Sequence, residues 1–249
     1  MILQEYINNI LYEYSYIELF GLSFMYFSIL YFGLAPIFNG VCKYLASKNI
    51  LHKITLRELH KGQIKFELKH SFISIFLFGT SIIPVIYLIR LDLVSLLPNT
   101  ILNVIIGIIA LTIWNEIHFF IVHRILHLRF FMRHIHYIHH QSRVPTVYSV
   151  YSFHWIEALL LSTVPLTFIP FVPISPVAIF LYPLASILLN YSGHCNYRFG
   201  NGQGASWKLF GTFHNEHHAK GRKNYGFASH ILDKINFTIK SHFENTKKL

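Results

Sequence analysis

Long apolar runs alternate with short polar intervals along the chain, and the runs have the lengths of membrane spans. Residues 17–38, IELFGLSFMYFSILYFGLAPIF, carry one charge, Glu18, at their edge. As a helix they are long enough to cross a hydrocarbon core of about 30 Å. A second run covers 71–89 and stops at Arg90 and Asp92. A third covers 93–114 and is broken near its start by Pro98, Asn99 and Thr100. Residues 158–189 are apolar but punctuated by Pro165, Pro170, Pro173, Pro176 and Pro183. Proline removes a helical hydrogen bond and clashes with the preceding turn, so this stretch predicts a tight hairpin of two helices turning at 170–176. The expected fold is all-α: a polytopic membrane bundle of about 4–5 transmembrane helices with a histidine-rich helical cap. The chain reads as one membrane-embedded domain, 1–249, with anchor helices over 1–114 and the histidine-rich part over 115–249.

Composition agrees with a bilayer as solvent. Charged residues make up 13% of the 249, hydrophobic residues 53% and aromatics 16%. An ordinary soluble domain is roughly 25% charged, and disorder requires polar, charged sequence. The net charge is +10, and its placement carries the information. Glu5, Glu13 and Glu18 lie in the first eighteen residues, which hold no Lys or Arg. The stretch 43–69 then carries Lys43, Lys48, Lys53, Arg57, Lys61, Lys65 and Lys69. No nucleic-acid-binding module accompanies these charges, and the positive-inside rule accounts for them. With the acidic N-terminus outside, the first span delivers 43–69 to the cytoplasm. The next two spans return the chain there near residue 115, and the proline hairpin goes in and comes back. Every histidine cluster then lies on the cytoplasmic side, beside Arg124, Arg129, Arg133 and Arg143. Cys42 and Cys195 form no CxxC, which excludes a thiolate metal site. A basic leader of the secretory type is also missing.

Histidine is the anomaly: the chain has 17, with seven between positions 118 and 140. HRILH places His123 and His127 at i and i+4, on one helix face. HYIHH places His136, His139 and His140 at i, i+3 and i+4, and HNEHH repeats that spacing with His214, His217 and His218. Neutral imidazole suits iron, zinc, copper and nickel, and residues one turn apart reach a common ion. Eight imidazoles are too many for one ion and enough for two. One HxxxH pair is frequently accidental; two HxxHH motifs and an HxxxH in one membrane chain are not. His118 sits roughly 140° round the helix from His123, and His134 points away from the face of His136, so both fall outside the site. His52, His60, His70 and His242 read as surface or interfacial residues.

From Asn115 to Thr238 the sequence resembles the sterol desaturase and fatty acid hydroxylase superfamily of membrane di-iron oxygenases. NEIHFFIVHRILHLRFFMRHIHYIHH is similar to that family's acidic residue, aromatic pair, HRxLH, short spacer and HxxHH. FHWIE (Phe153 to Glu157) resembles its HPxE, with Trp155 in place of proline. YSGHC holds His194 where the family has a histidine before the last box. HNEHH resembles the terminal box, and KNYG (Lys223 to Gly226) the Asn-Tyr-Gly that follows it. ILDKINFT keeps Asp233 and Thr238 but lacks the usual Trp and Gly. By eye the sterol C-4 methyl oxidase type is nearest, and the substrate stays open.

The resemblance implies a cytoplasm-facing centre of two iron ions bound by His123, His127, His136, His139, His140, His214, His217 and His218, with His194 as a ninth ligand. Where some members carry a further histidine this chain has Asn190, and His154 is a candidate for the missing contact or for orienting a ligand. Ligating imidazoles usually donate their second N–H to an acceptor; Glu116, Glu157, Glu216 and Asp233 are the nearby acids. The implied reaction uses O₂ to hydroxylate or desaturate a C–H bond of a lipid: sterol, fatty acyl or related. Zinc has no redox chemistry, although imidazole sites accept it as a substitute. GNGQG at 200–204 lacks the strand before and the helix after that a dinucleotide fingerprint needs, so electrons come from a separate donor, a ferredoxin or small cytochrome with its reductase. Two alternatives from other classes remain: a zinc-dependent membrane hydrolase, against which HExxH is absent, and a metal transport or storage protein, which would place ionisable groups within the spans.

Overall fold

The computed structural model describes residues 2–200, 211–221 and 223–246. The chain runs through α1 (Ile2–Asn8), α2 (Tyr16–Ser28), α3 (Leu34–Ser47), β1 (Leu51–Lys53), α4 (Gln63–Thr80), α5 (Ile82–Arg90), α6 (Ile101–Leu126), α7 (Arg129–Phe131) and α8 (Tyr137–His140). It continues through α9 (Trp155–Ser162), α10 (Pro176–His194), β2 (Tyr197–Phe199), α11 (Thr212–Lys220) and α12 (Ile231–Thr246). Among the described residues four helical stretches are long and apolar enough to cross a membrane: Tyr16–Ser47, Gln63–Arg90, Ile101–Leu126 and Pro176–His194. Their outer faces leave Met25, Ile29, Ile37, Phe72, Phe76, Ile105, Ile109 and Ile113 exposed. Such a belt is stable against acyl chains, which need no backbone hydrogen bonds from the protein. The protein is an integral membrane helical bundle.

The spans are longer than the apolar runs suggest, because hydropathy ends where a polar residue appears and a helix does not. The first span continues to Ser47, through a π-helical turn at Ile29–Gly33. Its carbonyls at Leu30 and Tyr31 accept the Tyr191 hydroxyl at 2.8 and 3.2 Å, which ties α2 and α3 to α10. The second span begins at Gln63, eight residues before the expected start, because Gln63, Glu67, Ser71 and Ser74 form a buried polar stripe down α4. The third begins only at Ile101, where Thr100 caps it by accepting from the Asn103 amide at 3.2 Å. It then runs 26 residues, about 39 Å, to Leu126. The expected boundary between anchor and histidine-rich part, 114/115, therefore falls inside one unbroken helix. That length places His123 in the last turn of α6.

The proline hairpin turns where expected, but only its second arm is a continuous helix. The α9 helix stops at Ser162, and the chain continues through Thr163–Val172 as successive turns, held by bonds such as Ile169 N to Pro165 O at 2.9 Å. Leu97 N donates to Ile174 O, and Ile174 N to Ser95 O, so the hairpin tip meets the start of α6. Asn99 Oδ1 accepts from Ser175 Oγ at 2.7 Å and from Val177 N. Pro176 opens α10 where its missing N–H costs nothing, and α10 passes through Pro183. Along the shared α6–α10 contact a Cβ on Gly107 would lie 2.6 Å from Ala178 Cβ, the close approach that small residues allow between membrane helices.

At the opposite end, β1 pairs antiparallel with β2, Leu51 opposite Phe199, so the ends of α3 and α10 share a face with the start of α4 and the end of α6. A short strand does precede the glycine run, contrary to the sequence expectation. It is antiparallel, whereas a dinucleotide fold needs a parallel βαβ strand. Residues 201–204 of that run lie outside the described residues.

Candidate metal centre

Among the described residues nine imidazoles converge at this end in two groups. His123, His127, His136, His140 and His217 form one, and His139, His194, His214 and His218 the other; within each, the ligand atoms lie within 4.8 Å of one another. The elements explain the sorting. In an α-helix, i and i+4 lie about 40° apart and i+3 falls about 60° to the other side. His136 and His140 accordingly join the first group and His139 the second. On α11 the assignment is reversed: His214 and His218 share the second group, and His217 reaches the first. The last turn of α6 supplies His123 and its C-cap supplies His127. A π-helical turn at Met132–His136 widens the backbone just before α8, and α10 ends on His194. The groups abut, with the His140 and His218 ring centres 5.1 Å apart.

Hydrogen bonds behind the rings decide which nitrogen faces inward. His123 Nδ1–H donates to Tyr225 O at 2.8 Å, His217 Nδ1–H to Lys223 O at 2.7 Å and His194 Nδ1–H to Asn190 O at 2.9 Å. His136 Nδ1–H donates to Glu157 Oε1 at 2.8 Å, and His139 Nδ1 lies 3.4 Å from Ser152 O. A carbonyl only accepts, so Nδ1 carries the proton and Nε2 presents a bare lone pair. The Nε2 atoms within each group lie against one another. His217 Nε2 is 3.0 Å from His127 Nε2 and 3.1 Å from His140 Nε2, which is itself 3.1 Å from His136 Nε2. In the second group, His214 Nε2 is 3.1 Å from His194 Nε2 and 3.2 Å from His218 Nε2. The rings hold too few protons to make all these contacts hydrogen bonds, and His123 Nε2 is buried without a partner among the described residues. Converging lone pairs are the arrangement that a cation between them would stabilise. Two nitrogens bound at ~2.1 Å and a right angle stand ~3.0 Å apart, close to the observed separations. Each group fits a metal ion.

Burial keeps these rings neutral. It pulls His127 down to about 3 and His140 to about 2, with the neighbouring His217 imidazole contributing in both. His217 falls to about 4 by burial, partly offset by its bond to Lys223 O. His136, His139, His214 and His218 lie well below the ordinary imidazole value, again through burial first and neighbouring imidazoles second. A protonated imidazole has no lone pair to offer, so the depressed values leave all seven ready to ligate at neutral pH.

Two carboxylates hold the loop that supplies the backing carbonyls. Glu116, on α6, accepts from Ala228 N at 2.9 Å, Phe227 N at 3.2 Å, Ser229 N at 3.4 Å and Ser229 Oγ at 3.2 Å. Asp233 accepts from Tyr225 N and Gly226 N, both at 2.9 Å. A Cβ on Gly226 would collide with Ser229 O, which accounts for the glycine of KNYG. Asp233 thus holds the backbone whose Tyr225 carbonyl accepts from His123. Glu157 also stands behind a ring, with its second oxygen unpartnered among the described residues. Glu216 lies 3.7 Å from Lys223 Nζ at the surface.

His154 and Asn190 do not join either group. His154 is the N-cap of α9, its Nδ1 accepting from Ile156 N at 3.2 Å. Asn190 backs His194 through its backbone carbonyl, while its side chain donates to Val150 O at 3.2 Å. His118 Nε2 lies 3.0 Å from Thr163 Oγ1, and His134 is surface-side against Phe130 O. Sequence reasoning missed Glu67, which is fully buried and accepts from Gln63 Nε2 at 2.7 Å, Ser142 Oγ at 2.7 Å and Thr146 Oγ1 at 2.6 Å. It anchors the 142–146 loop, which leads to Ser152. The signal was present: Gln63, Glu67 and Ser71 repeat at i+4 on one face of α4 and run into its apolar stretch.

An elongated cavity of about 390 Å³ opens next to the histidines. Phe119, Phe153, Asn190 and Phe227 line its near end, with the Phe119 ring 4.8 Å from His123 and the Phe153 ring 4.8 Å from His139. Its far end reaches Ile10 and Leu19. The lining contains no Asp, Glu, Lys, Arg or His.

Comparison with known proteins adds a family to this geometry. Over 157 residues the chain is 29% identical to lathosterol oxidase of Rattus norvegicus, covering 59% of this chain and 50% of the relative. The chain thus spans about half the length of that curated relative. No solved structure matches it significantly. The fatty acid hydroxylase family model matches residues 108–238, from the middle of α6 through both groups of histidines to α12. That stretch is more than half of the chain and contains all nine converging histidines, so the chain belongs to the fatty acid hydroxylase family, within the sterol desaturase and fatty acid hydroxylase superfamily.

Proposed function

We propose that the protein is a membrane oxidoreductase that uses O₂ at two iron ions to hydroxylate or desaturate a C–H bond of a lipid. The observation that carries this reading is the juxtaposition of two all-imidazole groups with an apolar cavity, where the lining residues Phe119 and Phe153 contact His123 and His139. His123, His127, His136, His140 and His217 would hold one ion, and His139, His194, His214 and His218 the other. A bound iron pair supplies the one-electron chemistry with O₂ that an unactivated C–H bond requires and that zinc lacks. In hydroxylation one oxygen atom enters the lipid and the other leaves as water, consuming two electrons and two protons. The chain's own share is to fix the imidazoles through the Tyr225, Lys223 and Asn190 carbonyls and Glu157, to exclude water, and to align an acyl or sterol body against the two phenylalanines. The likeness to lathosterol oxidase supports a lipid substrate, with sterols as one candidate class. Neither group contains a carboxylate, which disfavours a hydrolase built on zinc and a general base.

The electrons come from a separate ferredoxin or small cytochrome with its reductase. The positive charges of 43–69 support a cytoplasmic orientation for the histidine end. Iron quantitation on the purified protein, with lipid mass spectrometry of cells carrying the wild type or His139→Ala, tests the proposal. Close to two irons per chain and a lipid gaining one oxygen or losing two hydrogens are expected, both lost in the variant. Full lipid conversion by His139→Ala overturns it.

A further inference from the structure

Within the cavity lining, one buried amide has no hydrogen-bond partner among the described residues. Asn115 lies on α6, two turns before His123, and is 6% exposed. It lines the apolar cavity, yet its amide nitrogen has no hydrogen-bond partner among the described residues. Several neighbouring polar groups are engaged: Ser23 Oγ and Ser81 Oγ donate to Phe78 O, Tyr26 Oη to Phe180 O, Ser162 Oγ to Leu159 O, and Asn190 Nδ2 to Val150 O. A buried amide without a partner costs free energy, and in a lipid-filled cavity only the occupant offers one.

We propose that Asn115 hydrogen-bonds an uncharged oxygen, a hydroxyl or carbonyl, on the lipid that enters this cavity, and thereby selects neutral oxygenated lipids over pure hydrocarbon and over charged lipids. The inference rests on the cavity being the lipid site of the proposed oxygenase. A carboxamide presents both a donor and an acceptor, which matches a hydroxyl in either role. A carboxylate or phosphate would find no cation, since no charged residue lines the cavity. Asn115 precedes His123 by eight residues, about 12 Å along the helix. The recognised oxygen and the carbon presented to the histidines are therefore separated along the lipid by on the order of 10 Å.

The test is competition binding to the full chain in phosphatidylcholine nanodiscs, scored without turnover. The probes are cholesterol against its 3-deoxy counterpart 5-cholestene, octadecanol against octadecane, and stearate as the charged arm. Wild type should prefer the hydroxyl member of at least one pair by about tenfold, the worth of one net hydrogen bond. Whichever pair responds identifies the lipid class. Asn115→Leu should bring the pair to near equality with metal content unchanged; if it does not fold, Asn115→Ala should lose the preference and Asn115→Ser should keep it in part. Equal affinity within both pairs in wild type, preference surviving in Asn115→Leu or Asn115→Ala, or stearate competing as well as octadecanol overturns the proposal. Because binding is read apart from iron content and product, its failure is distinguishable from failure of the oxygenase reading.

Discussion

Glu116 offers the sharpest test of how the centre is built, because it touches no histidine yet holds the loop that orients two of them. Its carboxylate gathers the Phe227, Ala228 and Ser229 amides, and the same loop presents Tyr225 O to His123 and Lys223 O to His217. Glu116→Ala removes four acceptor contacts, of which those to Ala228 N at 2.9 Å and Phe227 N at 3.2 Å are the shorter to backbone. A hydrogen bond to a charged group contributes about 1.5–3 kcal/mol. Glu116 is half-buried, so the low end applies, and two such bonds amount to about 3 kcal/mol. That corresponds to roughly a hundredfold in the population of the ordered loop, at the upper end of the 10–100-fold typical for partners that orient ligands. Chelator competition with iron quantitation reads the change directly. Glu116→Gln should fall between, since its amide oxygen still accepts while its NH₂ confronts backbone donors. Glu216→Ala is the control: its pairing with Lys223 is exposed, and such pairs contribute little. Metal affinity of Glu116→Ala equal to wild type, with Glu216→Ala also unchanged, would refute the role of the loop.

His194→Ala should lower metal content, because it removes a nitrogen from the second group, whereas Asn190→Ala should retain metal and change turnover rate, since the acceptor for His194 is a backbone carbonyl that survives; full metal in His194→Ala, measured by iron quantitation, would contradict this. Cysteine labelling at Lys53 and Lys234 in intact vesicles should modify both from the same side, and opposite-side labelling would break the arrangement of spans. Gly107→Leu drives a side chain into Ala178 and Ile174; overpacking of this kind typically costs about 1–3 kcal/mol, so the thermal midpoint in detergent should fall, and an unchanged midpoint would mean that α6 and α10 separate without penalty.

By itself the sequence determined the solvent, the class of fold and the histidine motifs that converge. Apolar runs of span length survive any detail of packing, and histidines at i, i+3 and i+4 share a helix side whatever surrounds the helix. Local periodicity therefore carried the boxes around His123, His136 and His214, and the tip of the proline hairpin at 170–176. It did not carry the ends of the spans. Gln63 and Glu67 read as part of a basic loop, and became interior only because Ser142 and Thr146, some 75 residues later, supply donors to the carboxylate. The division of each HxxHH motif between two groups, the exclusion of His154, and the backing of His123 by a carbonyl a hundred residues away also depend on which elements meet. So does the idle amide of Asn115, whose missing partner is visible only once the cavity is formed. Spacing along a helix is a property of one segment, while hydrogen-bond satisfaction and the convergence of lone pairs belong to pairs of segments, and only the tertiary structure brings those together.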